Sequence, residues 1–274
     1  METLNVLLAQ LTPKLRDVRG NLQTTEELLA QGTDLAVFPE LFLAGYSTRD
    51  VDDLAFDLDG PEVGEMARLA RGGETAVIFG LHERVSGGVA NSAVCLDRRG
   101  NLAGAYRKAH LFGEERGAFV AGNGLVIADL DGIETGLMIC FDVEYPEVAR
   151  ALATAGADLL VTISANMDPF GRDHDVFAMA RALENGLPHL YVNQVGKGET
   201  FTFAGGTMAV SADGEHLATS STTEDVIEFS LDLSARNEER SEGLRPDYLK
   251  ESRGPLPVRR TAAASQNKEP KADG

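Results

Sequence analysis

Short apolar runs alternate with amphipathic stretches from residue 4 to about residue 233, and this alternation limits the fold more than any other feature of the sequence. A run of about four to eight apolar residues fits a buried strand, whereas an amphipathic stretch of about ten or more fits a helix. This order of elements predicts a layered α/β chain whose helices cover its sheets. No apolar run approaches the ~20 residues of a membrane span, so we expect no membrane partner.

Glycine and proline punctuate the predicted elements. The first helix, 17–31, ends before Gly32, which can adopt the positive φ that follows many helices. The other predicted helices are 61–71, 146–155 and 173–185. The predicted strands are 4–9, 35–38, 76–84, 91–97, 102–108, 125–130, 134–140, 189–195, 207–211 and 226–233.

Two distant segments share one order of elements. In ELLAQGTDLAVFPE (27–40) and RALATAGADLLVTISAN (150–166), a helix ends near a glycine, and Asp-Leu then opens an apolar strand that finishes in polar residues. Because the unit occurs only twice, it indicates a weak internal repeat rather than a solenoid.

Charge and composition exclude several classes of partner. The 274 residues carry a formal net charge of −18, and this field repels phosphate backbones, so we expect no nucleic-acid partner. Two cysteines and a start without signal-peptide character favour a reducing cytoplasm. From residue 252 the apolar period stops, which predicts a domain over 1–251 and a disordered tail over 252–274.

Cys140 stands where an apolar strand ends, in GLMICFDVEYPE (136–147), and Pro146 opens the next helix. A thiol at such a junction lies near free backbone N–H groups, which stabilise a thiolate or an oxyanion. The alternative is an inert buried thiol, as most free cysteines are. Cys95, inside NSAVCLDRRG, fits that alternative.

A nucleophilic cysteine needs a group that accepts its proton. None of the five histidines stands in a protease-like context and no two have metal-ligand spacing; His174, between two aspartates, indicates the start of a solvated helix. A carboxylate can act instead when burial raises its pKa. Glu40, in the apolar segment FPELFLAGY, is the best candidate, with a salt-bridged surface glutamate as the alternative.

Lys108 closes another predicted strand, in GAYRKAHLFGEE, where a cation can face developing negative charge. Glu114 and Glu115 follow, and either can orient the lysine or the substrate. Because open α/β sheets place their sites at the carboxyl ends of strands, we expect Glu40, Lys108 and Cys140 to form one site.

The segments FPELFLAGY, YRKAHLF and GLMICFDVEYPE, in this order, resemble the three signature segments of the nitrilase superfamily, the carbon–nitrogen hydrolases. The resemblance implies a four-layer αββα sandwich that pairs into an αββα–αββα homodimer, with no metal and no organic cofactor. It also implies that Glu40 is the general base and acid, that Lys108 stabilises the oxyanion and that Cys140 is the nucleophile. Glu115 resembles the second glutamate that many members carry, with Glu114 as a substitute.

The residues after Cys140 resemble those of small-amide amidases, including enzymes that act on 5-aminopentanamide, more than those of nitrilases or N-carbamoyl hydrolases. Glu144 stands where amidases of carboxylate-bearing amides carry arginine, which favours a neutral or cationic ω-amino tail, unless Glu144 pairs with a nearby arginine. Nitrile or N-carbamoyl hydrolysis and a non-catalytic scaffold are the alternatives. Residues expected to line the pocket, with core packing as the alternative, are Tyr46, Phe112, Phe141 and Asn166.

Overall fold

The computed structural model describes residues 3–233 and residue 249, so the expected tail and the end of the expected domain lie outside the described residues. The strands are β1 Thr3–Gln10, β2 Leu35–Val37, β3 Ala76–Val85, β4 Gly88–Leu96, β5 Leu102–Arg107, β6 Ile127–Asp129, β7 Glu134–Ile139, β8 Leu159–Ser164, β9 His189–Asn193, β10 Val195–Lys197, β11 Thr202–Ala204, β12 Met208–Val210, β13 His216–Thr219 and β14 Asp225–Asp232. The helices are α1 Val18–Leu29, α2 Pro61–Gly73, α3 Glu115–Ala118, α4 Pro146–Thr154 and α5 Gly171–Asn185.

Two six-stranded sheets share one pattern of pairing. The first has the order β14-β1-β2-β3-β4-β5 and the second the order β13-β12-β9-β8-β7-β6. In each, three central strands run parallel, β1-β2-β3 and β7-β8-β9, and the flanking strands are antiparallel. The repeated helix–turn–strand units of the sequence are α1–β2 and α4–β8, which occupy corresponding places in the two sheets.

The two sheets pack face to face between outer layers of helices. Leu8 and Ile78 of the first sheet belong to one buried cluster with Ile139 and Val161 of the second. On the outer faces, α1 and α2 cover the first sheet, and α4 and α5 cover the second. Because the central strands are buried on both faces, they appear in the sequence as nearly continuous apolar runs. The predicted four-layer αββα sandwich is confirmed.

The boundaries of helices follow local backbone chemistry. Pro61 and Pro146 open α2 and α4, where the fixed φ of proline fits the first helical position. Gly186, with φ of 65°, ends α5. Within the described residues, no helix has both the length and the apolar character needed to cross a membrane.

Some elements differ from the prediction. The short strands β10, β11 and β13 and the four-residue helix α3 were not expected, because they are too short and too polar to give a period. The strands predicted over 102–108 and 134–140 each end one residue earlier. Lys108 and Cys140 are therefore the first residues after β5 and β7, and this moves both side chains to the edge of the sheet.

Candidate active site

Cys140 occupies a sharp turn at the carboxyl end of β7. It opens a 3₁₀ turn, Cys140–Glu144, and has φ of 45°, in the left-handed region that residues other than glycine seldom adopt. Such backbone strain is common where a side chain must be presented to a site. Cys140 is 8% exposed and lines a cavity, whereas Cys95 is fully buried between the sheets.

Glu40 follows β2 and is fully buried. Its Oε1 accepts hydrogen bonds from Asn91 Nδ2 at 2.6 Å and from Lys108 Nζ at 2.8 Å. Gln194 Nε2 donates to the main-chain oxygen of Glu40 at 2.6 Å. Among the described residues, Oε2 of this carboxylate has no hydrogen-bond partner, so it is the oxygen that remains available for chemistry. The alternative of a salt-bridged surface glutamate is wrong for Glu40, because this residue is buried and its ion pair with Lys108 lies inside the protein.

Gly80 in β3 holds the loop that carries Glu40. Its N–H donates to Pro39 O at 3.1 Å, and its carbonyl accepts from Leu43 N at 3.0 Å. A Cβ atom at Gly80 would lie 2.1 Å from Leu41 N and 2.7 Å from the Glu40 carbonyl carbon. Only glycine therefore allows this close approach of two backbones.

Lys108 joins two carboxylates inside the protein. Its Nζ lies 2.8 Å from Glu40 Oε1 and 2.8 Å from Glu115 Oε1, and all three side chains are buried. Tyr46 Oη donates to Glu115 Oε1 at 3.0 Å, and Phe112 N donates to Glu115 Oε2 at 2.8 Å. Glu114 is exposed, so Glu115 is the glutamate that contacts the lysine.

Burial and these contacts set the protonation of the site. Burial raises the pKa of Glu40, although the neighbouring Lys108 opposes that effect. Burial by itself would lower the pKa of Lys108, but Glu115 and Glu40 outweigh it and hold this pKa well above its usual value. Burial, reinforced by Glu40, raises the pKa of the Cys140 thiol. The resting site therefore holds an ammonium group and a protonated thiol.

Asp142 ties the turn at Cys140 to the loop after Lys108. Its Oδ1 accepts hydrogen bonds from His110 N at 3.0 Å and His110 Nδ1 at 2.8 Å, and its Oδ2 accepts from Tyr106 Oη at 2.8 Å and Ile139 N at 3.0 Å. The hydrogen bond with Asp142 also raises the pKa of His110. This buried carboxylate fixes the turn and the loop relative to each other.

A cavity of about 160 Å³ opens beside Cys140, Lys108 and Glu115. All five residues expected to contact substrate line it, and so do several that the sequence did not indicate. The expected residues are Tyr46, Phe112, Phe141, Glu144 and Asn166; the others are Ala165, Met167, Phe170, Asp173 and His174. Its walls are mainly aromatic and apolar, with carboxylates at a few positions.

His174 is not on a solvated helix surface, as its flanking aspartates suggested. It is buried, with Nε2 3.3 Å from Glu144 Oε1 and Nδ1 2.7 Å from Tyr191 Oη. Successive residues of a helix are about 100° apart, so the neighbours of His174 differ from it in exposure: Asp173 is exposed although it also lines the cavity, and Asp175 is half-buried. Arg181, the arginine near Glu144, donates to main-chain carbonyls of the turn, and the Glu144 carboxylate faces His174 instead.

Sequence reasoning missed the residues that hold the site from other elements. These are Gly80, Asn91, Asp142, Ser164, His174, Tyr191 and Gln194. Asp142 was visible as one of three carboxylates after Cys140, but nothing local distinguished it from the others. Within residues 3–233 and 249, no group of histidine, cysteine and acidic side chains could hold a metal ion.

Comparison with known proteins gives the family. The carbon-nitrogen hydrolase family model matches residues 5–240. An (R)-stereoselective amidase from Pseudomonas sp. is 36% identical over 91% of this chain and 92% of its own length. A Pseudomonas protegens protein described as a hydrolase in the pqqF 5' region is 37% identical over 88% of this chain and 87% of its own.

A solved structure matches the fold as well. It is a mutant of the amidase from Nesterenkonia sp. AN1 that shows covalent addition of the acetamide moiety of fluoroacetamide at the active-site cysteine. The TM-score is 0.77 at 26% identity, over 91% of this chain and 94% of that one. The chain therefore belongs to the carbon–nitrogen hydrolases of the nitrilase superfamily, whose chemistry is based on a cysteine.

Proposed function

We propose that this protein hydrolyses a small aliphatic amide with a cationic ω-amino tail, through a thioester on Cys140. The observation that carries the proposal is the cluster of Glu40, Lys108 and Glu115 near Cys140. Lys108, Glu115 and Cys140 line a cavity that Glu144 also lines. The similarity to an (R)-stereoselective amidase supports an amide as the substrate class.

In the first half-reaction, Glu40 accepts the thiol proton while the sulfur of Cys140 attacks the amide carbon. Lys108 Nζ and the N–H of Phe141 donate to the oxyanion; one such donor is commonly worth about 3–4 kcal/mol. Phe141 suits this task because the first N–H groups of a helical turn have no partner within the turn. Glu40 then gives the proton to the leaving nitrogen, the C–N bond breaks, and ammonia and a thioester form.

In the second half-reaction, Glu40 accepts a proton from water, and the oxygen of that water attacks the thioester. The C–S bond breaks, the proton returns to the sulfur, and a carboxylic acid is released. Burial raises the pKa of Glu40, so its carboxylate is a stronger base than that of an exposed glutamate. Glu115 orients the ammonium group of Lys108 throughout.

The cavity limits the substrate in size and charge. Its volume of about 160 Å³ is smaller than the clefts of roughly 300–1,000 Å³ that hold drug-sized ligands. Phe112, Phe141 and Phe170 form apolar walls suited to a short methylene chain. Glu144 and Asp173 line the same cavity, so a cationic tail is favoured over a carboxylate.

Three substrates of similar size test the proposal: 5-aminopentanamide, the neutral hexanamide and the acidic 2-oxoglutaramate. We expect kcat/KM to be highest for 5-aminopentanamide, and Glu144→Gln to reduce its advantage over hexanamide by roughly tenfold, or about 1.4 kcal/mol. Glu147→Gln is the matched control, because Glu147 lies in α4 outside the cavity.

Other outcomes would replace the proposal. A preference for 2-oxoglutaramate would contradict the charge argument around Glu144. Release of carbon dioxide together with ammonia from ureido compounds, with no turnover of the simple amides, would favour N-carbamoyl hydrolysis by the same groups. Turnover of nitriles alone would assign nitrilase activity.

A further inference from the structure

Three buried polar side chains lie behind Cys140, on the face of the second sheet that α5 covers. They are Ser164 at the end of β8, Tyr191 in β9 and His174 in α5. The Tyr191 hydroxyl donates to Ser164 Oγ at 3.0 Å, and Tyr191 Oη lies 2.7 Å from His174 Nδ1. The reaction described above uses none of these groups.

Ser164 lies beside Cys140 because β7 and β8 are parallel neighbours. Ile139, the last residue of β7, pairs with Ile163 of β8. Cys140 and Ser164 each follow one member of this pair and are therefore neighbours. Burial raises the pKa of the Cys140 thiol, and the neighbouring Ser164 hydroxyl acts on this pKa in the opposite direction. Ser164 therefore favours the charged form of the sulfur.

The hydrogen bonds around Ser164 Oγ indicate whether the Ser164 hydroxyl donates to the Cys140 sulfur or accepts from it. A serine hydroxyl has one proton and two acceptor lone pairs. Tyr191 Oη donates to Ser164 Oγ at 3.0 Å. The N–H of Asn166 is shared between Ser164 Oγ at 3.1 Å and Asn193 Oδ1 at 2.8 Å, so it occupies the second acceptor position of Ser164 in part. The Ser164 proton is then left to donate to the sulfur. The contact between Tyr191 Oη and His174 Nδ1, at 2.7 Å, holds the Tyr191 hydroxyl in place.

We propose that Ser164 donates a hydrogen bond to the Cys140 sulfur during attack, and that Tyr191 and His174 are positioning residues that hold the Ser164 proton in that direction. The inference rests on the proposed role of Cys140 as the nucleophile. Negative charge grows on sulfur as Glu40 accepts the thiol proton, and a hydroxyl donor fixed in advance stabilises that charge. The same hydroxyl stabilises the negative charge that returns to the sulfur when the C–S bond of the thioester breaks.

Alkylation by iodoacetamide tests the sulfur without any amide substrate, and peptide masses identify the modified cysteine. Ser164→Ala removes a hydrogen bond to a charged group. Cys140 of the variant should therefore be alkylated about tenfold more slowly, and the pH profile of the alkylation rate should move up by about one unit. Thr162→Val is the matched control. Thr162 is another buried hydroxyl of β8, but it contacts His189 at 2.8 Å and lies outside this group; the variant should react like the wild type.

A double variant tests whether the residues act in series. Tyr191→Phe alone should slow alkylation several-fold, yet it should add nothing in the Ser164→Ala background, because its effect passes through Ser164. Effects that multiply, or a Ser164→Ala rate equal to that of Thr162→Val, would overturn the inference while leaving the role of Cys140 intact. A wild-type Cys140 no more reactive than Cys95 would overturn both.

Discussion

Asp142→Asn should weaken both the fold and the activity, because each carboxylate oxygen accepts two hydrogen bonds and an amide has only one oxygen. In either orientation of the asparagine, the nitrogen faces a main-chain donor, Ile139 N or His110 N, that then lacks an acceptor. A buried hydrogen bond to a charged group contributes about 1.5–3 kcal/mol, so we expect a loss of that size in the free energy of unfolding.

The same substitution should lower kcat, since the turn of Cys140 and the loop of Lys108 lose their shared anchor. A displacement of about 1 Å near reacting atoms can cost about 100-fold, so we expect a fall of roughly 10- to 100-fold. Urea unfolding gives the stability, and kcat is measured where the variant is folded. Asp97→Asn is the control, because Asp97 accepts from Arg99 N at 2.9 Å and Asn101 N at 2.8 Å in the β4–β5 turn, away from the site. An Asp142→Asn enzyme with wild-type kcat would refute this reasoning.

Two further predictions follow from the packing. Gly80→Ala should reduce kcat by roughly 100-fold, because the added Cβ displaces the backbone of Glu40. Gly64→Ala is the control: a Cβ at Gly64 meets no atom within 4 Å, so this variant should keep its activity and stabilise α2 by about 0.5–1 kcal/mol. Equal activities of the two variants would contradict the steric argument. Burial lowers the pKa of His82 and His189 to about 4 from 6.5, so the unfolded chain binds more protons between these values. Stability should therefore fall as pH decreases from 6.5 towards 4, by up to about 3 kcal/mol for each histidine, and unfolding free energies that stay constant from pH 7 to 5 would contradict it.

The sandwich could be predicted because its central strands are buried on both faces. Each such strand leaves a short apolar run, and polar residues follow the carboxyl ends of β2 and β7, where Glu40 and Cys140 stand. Lys108 instead follows β5, a partly exposed strand at the edge of the first sheet. The separate two-stranded sheet of β10 and β11 left no such signal, because several of its residues are partly or fully exposed and its strands have three residues each.

The supporting residues of the site could not be predicted, because they come from distant parts of the chain. Asn91 reaches Glu40 from β4 across 51 positions, and Gln194 reaches it across 154. His174 misled the sequence reasoning because its neighbours are acidic, whereas the face of a helix depends on residues three and four positions apart. Local sequence therefore located the reacting groups, and tertiary packing determines what orients them.

The most direct test of the account is the mass of the protein during turnover. Wild-type enzyme mixed with 5-aminopentanamide and quenched in acid should gain the mass of one acyl group, and peptide mapping should place that group on Cys140. Cys140→Ala should gain no mass and release no ammonia, while the buried Cys95 stays unmodified in both proteins. Sustained ammonia release by Cys140→Ala, or an acyl group on another residue, would contradict thioester chemistry at this sulfur.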